Sequence, residues 1–353
     1  MRIFLTHIMP KDKILEHNIS VASSNFSSSL IEGGAFDKVY SILPTFIKGE
    51  IESFEGLVYS KFRKNRFLFR LAPIVENINL FYKIPRNASI WYYNCTILNA
   101  FLIILLKLFK PSVQQNMIVL DYIPDKNIFE PFFLWLSNQM DGTIRLANSL
   151  RFKCKNSICL AGVVPSNIIK QPEIISVNNK FLISGTLNDN IAMFSMILEA
   201  FSRLPNLELH ITGKVLNINQ VERYTQNFKH IIYHGILSYE EYLDLLHQMS
   251  FLLSTRNPKA SENQFNFPSK VIEALLHNRI VISTIQYEQL EGIRYFEVAA
   301  ELDKFVMALS HIIQMPQTEL LTYANQADEV KRRFNVEVWK EGMQKIENYE
   351  KGV

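Results

Sequence analysis

Ser269, Lys270 and Glu273 stand in the first turns of a predicted helix that follows Asn266-Phe-Pro268, and together they offer the chemistry of a diphosphate site. Pro268 reads as the opening helical residue, where its missing N–H is an orphan donor in any case. Val271, Ala274 and Leu275, flanked by Ile272 and Leu276, give an apolar stripe at helical spacing. Asn278 can take the left-handed backbone that ends such a helix. The β-branched run 280–282 then reads as a buried strand. A helix N-terminus carries unbonded N–H groups and partial positive charge, which suits phosphate. Lys270 would add a full charge, and Glu273, one turn on, could accept two sugar hydroxyls. By itself, Lys-x-x-Glu on a helix is far more often an ordinary solvated pair. Its companions decide between these readings.

The companions recur at predicted strand ends. Ile183-Ser-Gly185-Thr186 and Ile211-Thr-Gly213-Lys214 both place Gly after an apolar strand, Tyr233-His-Gly235 follows a third, and Ser254-Thr-Arg256 a fourth. Ligands of doubly wound sheets bind beyond the carboxyl ends of the strands, and glycine there lets backbone approach a ligand closely. Any one of these glycines could be a plain turn residue. Three in register, with Arg256 and the 269–273 helix, make a coherent anionic-ligand site.

The elements that must position these residues alternate throughout. Strands are predicted at 3–7, 38–41, 90–93, 117–120 and 143–146, and again at 181–184, 208–212, 231–233, 251–254 and 280–283. Helices are predicted at 191–204, 220–227, 239–249 and 271–277, and the stretch 319–349 reads as helical. This is the pattern of an α/β protein with parallel sheets. A break near Gly162-Val-Val-Pro165 divides the chain into domains at 1–165 and 175–325, with helix 330–350 crossing back onto the first. A cleft between two such domains is the usual place for a ligand.

At 353 residues, 48% hydrophobic and 20% charged, the chain is globular and long enough for two domains. Met1-Arg-Ile-Phe-Leu5 reads as a first strand, not a secretory signal. The longest apolar run, 97–106, is far short of the roughly 20 residues a spanning helix needs and reads as a buried helix. Cys95, Cys154 and Cys159 lack metal-site spacing and read as reduced thiols of a cytosolic protein. The net charge of +3 is unevenly spread: residues 1–165 hold 19 Lys and Arg against 12 Asp and Glu. Much of that excess is Lys61-Phe-Arg-Lys-Asn-Arg-Phe-Leu-Phe-Arg70. This run reads either as a solvated face or as a peripheral contact with anionic lipid on the inner face of the plasma membrane. No nucleic-acid motif accompanies it, so no nucleic-acid partner is expected.

The ordered set Ser-Gly185, Leu-His-Ile-Thr-Gly213, Tyr-His-Gly235-Ile-Leu-Ser-Tyr-Glu-Glu-Tyr, Leu-Leu-Ser-Thr-Arg256 and Phe-Pro-Ser-Lys270-x-x-Glu273 resembles the nucleotide-sugar half of family-4 retaining glycosyltransferases. The likeness is greatest to bacterial enzymes of capsular and exopolysaccharide synthesis, and it covers 181–298. The first half resembles the family more loosely, through Ser27-Ser-Ser-Leu-Ile-Glu-Gly33-Gly34, Tyr93-Asn94, Val119-Leu-Asp121-Tyr and Asp141-Gly-Thr-Ile-Arg-Leu-Ala-Asn148. The resemblance implies a GT-B fold, two Rossmann-like α/β domains facing a central cleft. It implies a retaining, metal-independent hexosyltransferase with no cofactor.

The resemblance also assigns roles. The donor would be a nucleotide diphosphate-sugar, held by Gly185, Thr186, Gly213, Lys214, Gly235, Pro268, Ser269 and Glu273. The acceptor would be a glycan or a polyprenyl diphosphate-linked glycan, held near Gly33, Gly34 and Asn94. Arg256, Lys270 and Asp121 would serve the chemistry. Three departures stand beside this. The family's earlier glutamate, eight positions before Glu273, falls on Phe265. The basic pair after the Ser-Gly strand is replaced in the region of Thr186 and Asn190. The first-domain histidine has no clear counterpart, Asp121 standing near its place. A nucleotide-sugar 2-epimerase on the same fold, or a catalytically silent partner subunit, are the alternative functions.

Overall fold

The computed structural model describes residues 1–7, 21–44, 47, 49–94, 97–120, 130–147, 154, 156–164, 173–261, 263 and 266–349, with backbone alone at 21–23, 97 and 98. The chain forms two compact units: Met1–Ile168 with Phe334–Val353, and Ile169–Arg333.

Unit 1 is built on a parallel sheet of seven strands, β1 (Arg2–Thr6), β2 (Lys38–Ile42), β3 (Leu57–Val58), β4 (Ser89–Tyr93), β5 (Gln114–Val119), β6 (Gly142–Arg145) and β7 (Ser157–Cys159). Their order is β3-β2-β1-β4-β5-β6-β7. The order reverses at β1, as in a doubly wound sheet. Ile3, Phe4, Ile90, Trp91, Tyr92, Met117 and Ile118 are fully buried, the near-continuous apolar signature of strands covered on both faces. Helices α1 (Val21–Glu32), α2 (Ala72–Lys83), α3 (Ile97–Phe109) and α4 (Glu130–Ser137) connect them.

The predicted 319–349 helix is three: Gln317–Ala324, Ala327–Phe334 and Val336–Asn348. Asparagines make the breaks. The Asn325 amide exchanges two hydrogen bonds with the Ile174 backbone, and Asn335 Oδ1 caps Val338 N at 3.1 Å. The last helix belongs to unit 1. Glu347 accepts from Arg2, Ser89 Oγ (2.7 Å) and Trp91 Nε1 (2.9 Å), and Trp339 Nε1 donates to Gly162 O (2.8 Å). Trp339, Met343 and Ile346 are buried. Gly142 lets this helix approach, because a Cβ there would lie 2.0 Å from Ile346.

Unit 2 carries six parallel strands, β8 (Lys180–Leu187), β9 (Glu208–Val215), β10 (Ile231–Tyr233), β11 (Phe251–Ser254), β12 (Ile280–Ser283) and β13 (Phe296–Glu297), in the order β10-β9-β8-β11-β12-β13. The short edge strands β3, β7 and β13 lack enough apolar alternation to be read from sequence. Its helices are α5 (Asp189–Ala192), α6 (Phe194–Ser202), α7 (Ile218–Asn227), α8 (Tyr239–Gln248), α9 (Ser269–Leu276) and α10 (Leu302–Ile312). The core joins Phe181, Ile183, Ile211 and Phe251 of the sheet to Ile197, Phe201, Phe305 and Leu309.

The predicted 191–204 helix is broken at Met193, whose φ is +52°. Tertiary hydrogen bonds explain the break. Thr255 Oγ1 takes the Ala192 carbonyl (2.8 Å), and Asn257 N takes that of Ile191 (2.8 Å). The segment after β11 thus claims acceptors that a continuous helix would use itself.

Candidate functional site

In unit 2, β8 and β9 run in register so that Gly185 faces Gly213. Both have positive φ, +122° and +112°. A Cβ on Gly213 would lie 2.2 Å from Gly185 O, so only glycine fits. Gly213 N and Thr212 Oγ1 both donate to Gly235 O, at 2.8 and 2.9 Å, and Tyr233 Oη donates to Gly213 O at 3.0 Å. The three strand ends are therefore locked side by side, with open space where a Gly235 Cβ would stand. Thr186 and Lys214 are register partners beyond this row, both exposed.

Helix α9 meets this row. Pro268 is its N-cap (φ −75°, ψ 112°), one position earlier than the predicted first turn, because its extended ψ excludes it from the helix. Asn278 has the expected left-handed φ of +58°. The stem of Lys270 passes Gly185: a Cβ there would be 3.7 Å from Lys270 Cε. Lys270 Nζ sits 4.4 Å from the centroid of the Tyr242 ring, a cation–π placement. Burial lowers its pKa, and the carboxylate of Glu273 opposes that shift. Among the described residues no carboxylate forms an ion pair with Lys270.

Two tyrosines complete the group, and sequence reasoning missed both. Burial, then the negative charge of Glu273, holds the Tyr239 and Tyr242 hydroxyls well above the ordinary tyrosine pKa. The buried Tyr242 hydroxyl lies against the Ser184 hydroxyl and the Glu273 carboxylate, without a hydrogen bond of ordinary geometry. The signal lay in Ser238-Tyr-Glu-Glu241. Ser238 and Glu241 form a reciprocal capping box (2.8 and 3.3 Å), which sets the start of α8 and puts Tyr239 and Tyr242 one turn apart.

Arg256 follows β11 in the segment that Thr284 ties down. Its backbone N–H and carbonyl both bond Thr284 Oγ1 at 2.6 Å, and its guanidinium donates to Asn263 Oδ1 at 3.2 Å. Among the described residues no ion pair links it to Glu273. Ser269 is exposed at the helix start. Beneath Gly235, His234 Nε2 lies 2.9 Å from His210 Nδ1, and His210 Nε2 lies 2.5 Å from Glu208 Oε1. Burial, then His210, lowers the His234 pKa.

In unit 1, His7 follows β1, with Nδ1 2.6 Å from Ile42 O and its ring edge-on to Tyr93. Burial lowers its pKa, so a neutral ring would donate from Nδ1 and leave Nε2 as an acceptor. This histidine was missed because it looked like the last residue of a strand. Asn94, at φ +52°, accepts from Leu120 N through Oδ1 (2.8 Å). Gly33 and Gly34 end α1, Gly34 at φ +68°, and a Gly33 Cβ would lie 2.5 Å from Val336. Helix termination favours glycine at 34, and packing on Val336 favours it at 33. Asp121, Asn148, Phe265 and Cys95 lie outside the described residues. Cys154 and Cys159 are free thiols.

The 61–70 run is not a uniform outward basic face. Arg63 is buried, forking onto Glu76 at 2.6 and 2.7 Å and donating to the Leu43, Pro44 and Ile47 carbonyls. Lys64 pairs with Glu50. Among the described residues no three His, Cys, Asp or Glu side chains gather to hold a metal, and no helix is long and apolar enough to cross a membrane.

Two parallel sheets of this order, in two units, define the GT-B fold. No protein-family model and no curated protein matches the chain. Solved structures do. Anabaena HepE in complex with UDP is 12% identical over 98% of each chain, with a TM-score of 0.69. The lipopolysaccharide outer core galactosyltransferase WaaB is 12% identical over 99% of this chain and 100% of its own, at 0.61. S. aureus TarM, in complex with UDP among other ligands, is 11% identical at 0.55, and the match spans 76% of this chain but only 57% of TarM.

Proposed function

We propose that the chain is a retaining glycosyltransferase that uses a nucleotide diphosphate-sugar. The observation that carries this is the Lys270–Glu273 turn of α9 set against Gly185, with Tyr239 and Tyr242 around it. Support comes from HepE, whose structure in complex with UDP-glucose covers the full length of both chains. In this reading Lys270 and the free N–H groups of α9 receive the diphosphate. Glu273 takes the ribose hydroxyls, and backbone at Gly235 borders the base. The Ser184 and Tyr242 hydroxyls supply further polar contacts.

Transfer breaks the anomeric C–O bond to the diphosphate and forms one to the acceptor oxygen on the same face. The departing diphosphate takes the acceptor proton, so the protein's work is positioning and stabilising charge on phosphate. Lys270 is the residue best placed for that charge. His7 and Asn94, at the carboxyl ends of β1 and β4, are the acceptor-side candidates, for a glycan or lipid-linked glycan of bacterial surface polysaccharide. Activity is expected to be equal in excess EDTA and in magnesium, and a loss restored by divalent metal would count against this chemistry. Calorimetry with UDP-, GDP- and ADP-sugars, followed by product analysis, tests the reading. Thr186 and Asn190, where the related enzymes carry basic residues, favour one second reading: a silent subunit that binds donor without turnover.

A further inference from the structure

Helix α2 exposes an apolar stripe. Its buried side holds Glu76 (0% exposed) and Asn77 (1%) beside Ala72, Pro73 and Leu80, while Ile74 (42%), Ile78 (36%) and Tyr82 (78%) face solvent. Leu71, just before it, continues the stripe at 44%. A surface helix of a globular protein normally turns charged and polar residues to solvent on that side. Helix α3 packs against α2, with Phe81 and Phe109 edge to face at 6.3 Å. It is apolar on both sides: Leu102, Ile103 and Leu106 are buried with Asn99, while Phe101, Ile104, Leu108 and Phe109 are exposed, the last two by 68% and 62%. Two adjacent helices thus present one apolar face outward.

The rim of that face is basic. Segments 61–83 and 97–110 hold eight Lys and Arg and a single acid, Glu76. That acid is buried on Arg63, so the charge these segments present to solvent is entirely positive. A second copy would bring like charge against like charge, which disfavours self-association through this face. An anionic bilayer matches both properties at once, since apolar side chains enter the acyl boundary while Lys61, Arg66, Arg70 and Lys83 meet headgroups. Tyr82 is the amphipathic aromatic suited to that boundary.

We propose that the outer face of α2 and α3, with the basic turns before α2, docks this protein on an anionic membrane by shallow apolar insertion. This goes beyond the sugar-transfer reading and does not depend on it. It also differs from adsorption by charge alone, which salt would abolish.

Flotation of the full chain with vesicles of phosphatidylglycerol and phosphatidylcholine in equal parts, or of phosphatidylcholine alone, tests it at low and high salt. The wild type should float with the anionic vesicles at low salt and retain a measurable fraction at high salt. The triple variant Ile74→Gln, Ile78→Gln, Leu108→Gln replaces exposed side chains, so it should keep its circular dichroism and thermal midpoint. It should lose about tenfold or more in partitioning at both salts. Lys61→Gln, Arg66→Gln, Arg70→Gln should lose the preference for anionic lipid. Unchanged binding by the Ile74/Ile78/Leu108 variant would reduce the face to a charged surface and overturn the proposal. So would failure of the wild type to float, and a dimer in sedimentation velocity that the same variant dissociates would then assign the face to a second copy.

Discussion

At the scale of single residues, the site rests on opposite charges held three positions apart and shielded by aromatic rings. Glu273→Gln keeps the side-chain volume but removes a charged acceptor worth about 1.5–3 kcal/mol. Donor affinity by calorimetry should fall by about tenfold or more with the thermal midpoint unchanged; equal affinity would remove Glu273 from the donor site. Lys270 has a pKa lowered chiefly by burial, so its charge is lost at a lower pH than that of an ordinary lysine. Donor affinity should therefore weaken as pH rises toward the ordinary lysine range, and Lys270→Met should bind weakly with that dependence flattened. The residue types at 185, 213, 235, 270 and 273 were legible because each is chemically specific. Tyr239, Tyr242 and His7 were not, since an aromatic or histidine at a helix start or strand end has no meaning until its neighbours are known.

At the scale of elements, two polar pairs bear on local stability, one half-buried and one buried. His247 Nε2 lies 2.8 Å from His277 Nδ1 at the ends of α8 and α9, beside Arg279. Burial, then His247 and Arg279, depresses His277 to about 4 from 6.5. The unfolded chain therefore binds more protons between these values, so stability is greatest above pH 6.5 and declines as pH falls toward about 4. Thermal midpoints across that window should show the decline, and His277→Asn should flatten it. On the other sheet, the Arg63–Glu76 pair ties the turn Lys61–Lys64 to α2. Removing one partner leaves a buried charge, which costs about 3–5 kcal/mol. Glu76→Ala should thus lower the denaturation midpoint sharply, whereas Glu50→Ala, which frees the exposed Lys64, should barely move it. Strand and helix positions followed from periodicity, but the breaks at Met193, Asn325 and Asn335 did not. They are set by hydrogen bonds from residues distant in sequence or by single caps.

At the scale of the whole molecule, the last helix returns to the first unit. Trp339, Met343 and Ile346 are each at most 1% exposed there, and burial of such side chains contributes about 1.5–3 kcal/mol apiece. A chain ending at Phe334 should accumulate poorly or bind hydrophobic dye, while one ending at Tyr349 should fold normally; a stable truncation at Phe334 would contradict that account. The sequence alone determined the α/β class, the parallel alternation and the glycine-and-Lys-x-x-Glu signature, because these are carried by local period and by residue types with few substitutes. Tertiary structure alone decided which charges face water. Arg63 and Glu76 are drawn inward because each satisfies the other, while Ile74, Ile78, Phe101, Ile104 and Leu108 of α2 and α3 stay exposed beside buried Leu80, Leu102 and Leu106. Periodicity does not show which apolar residues of such helices find a partner, since that is set by what packs against them.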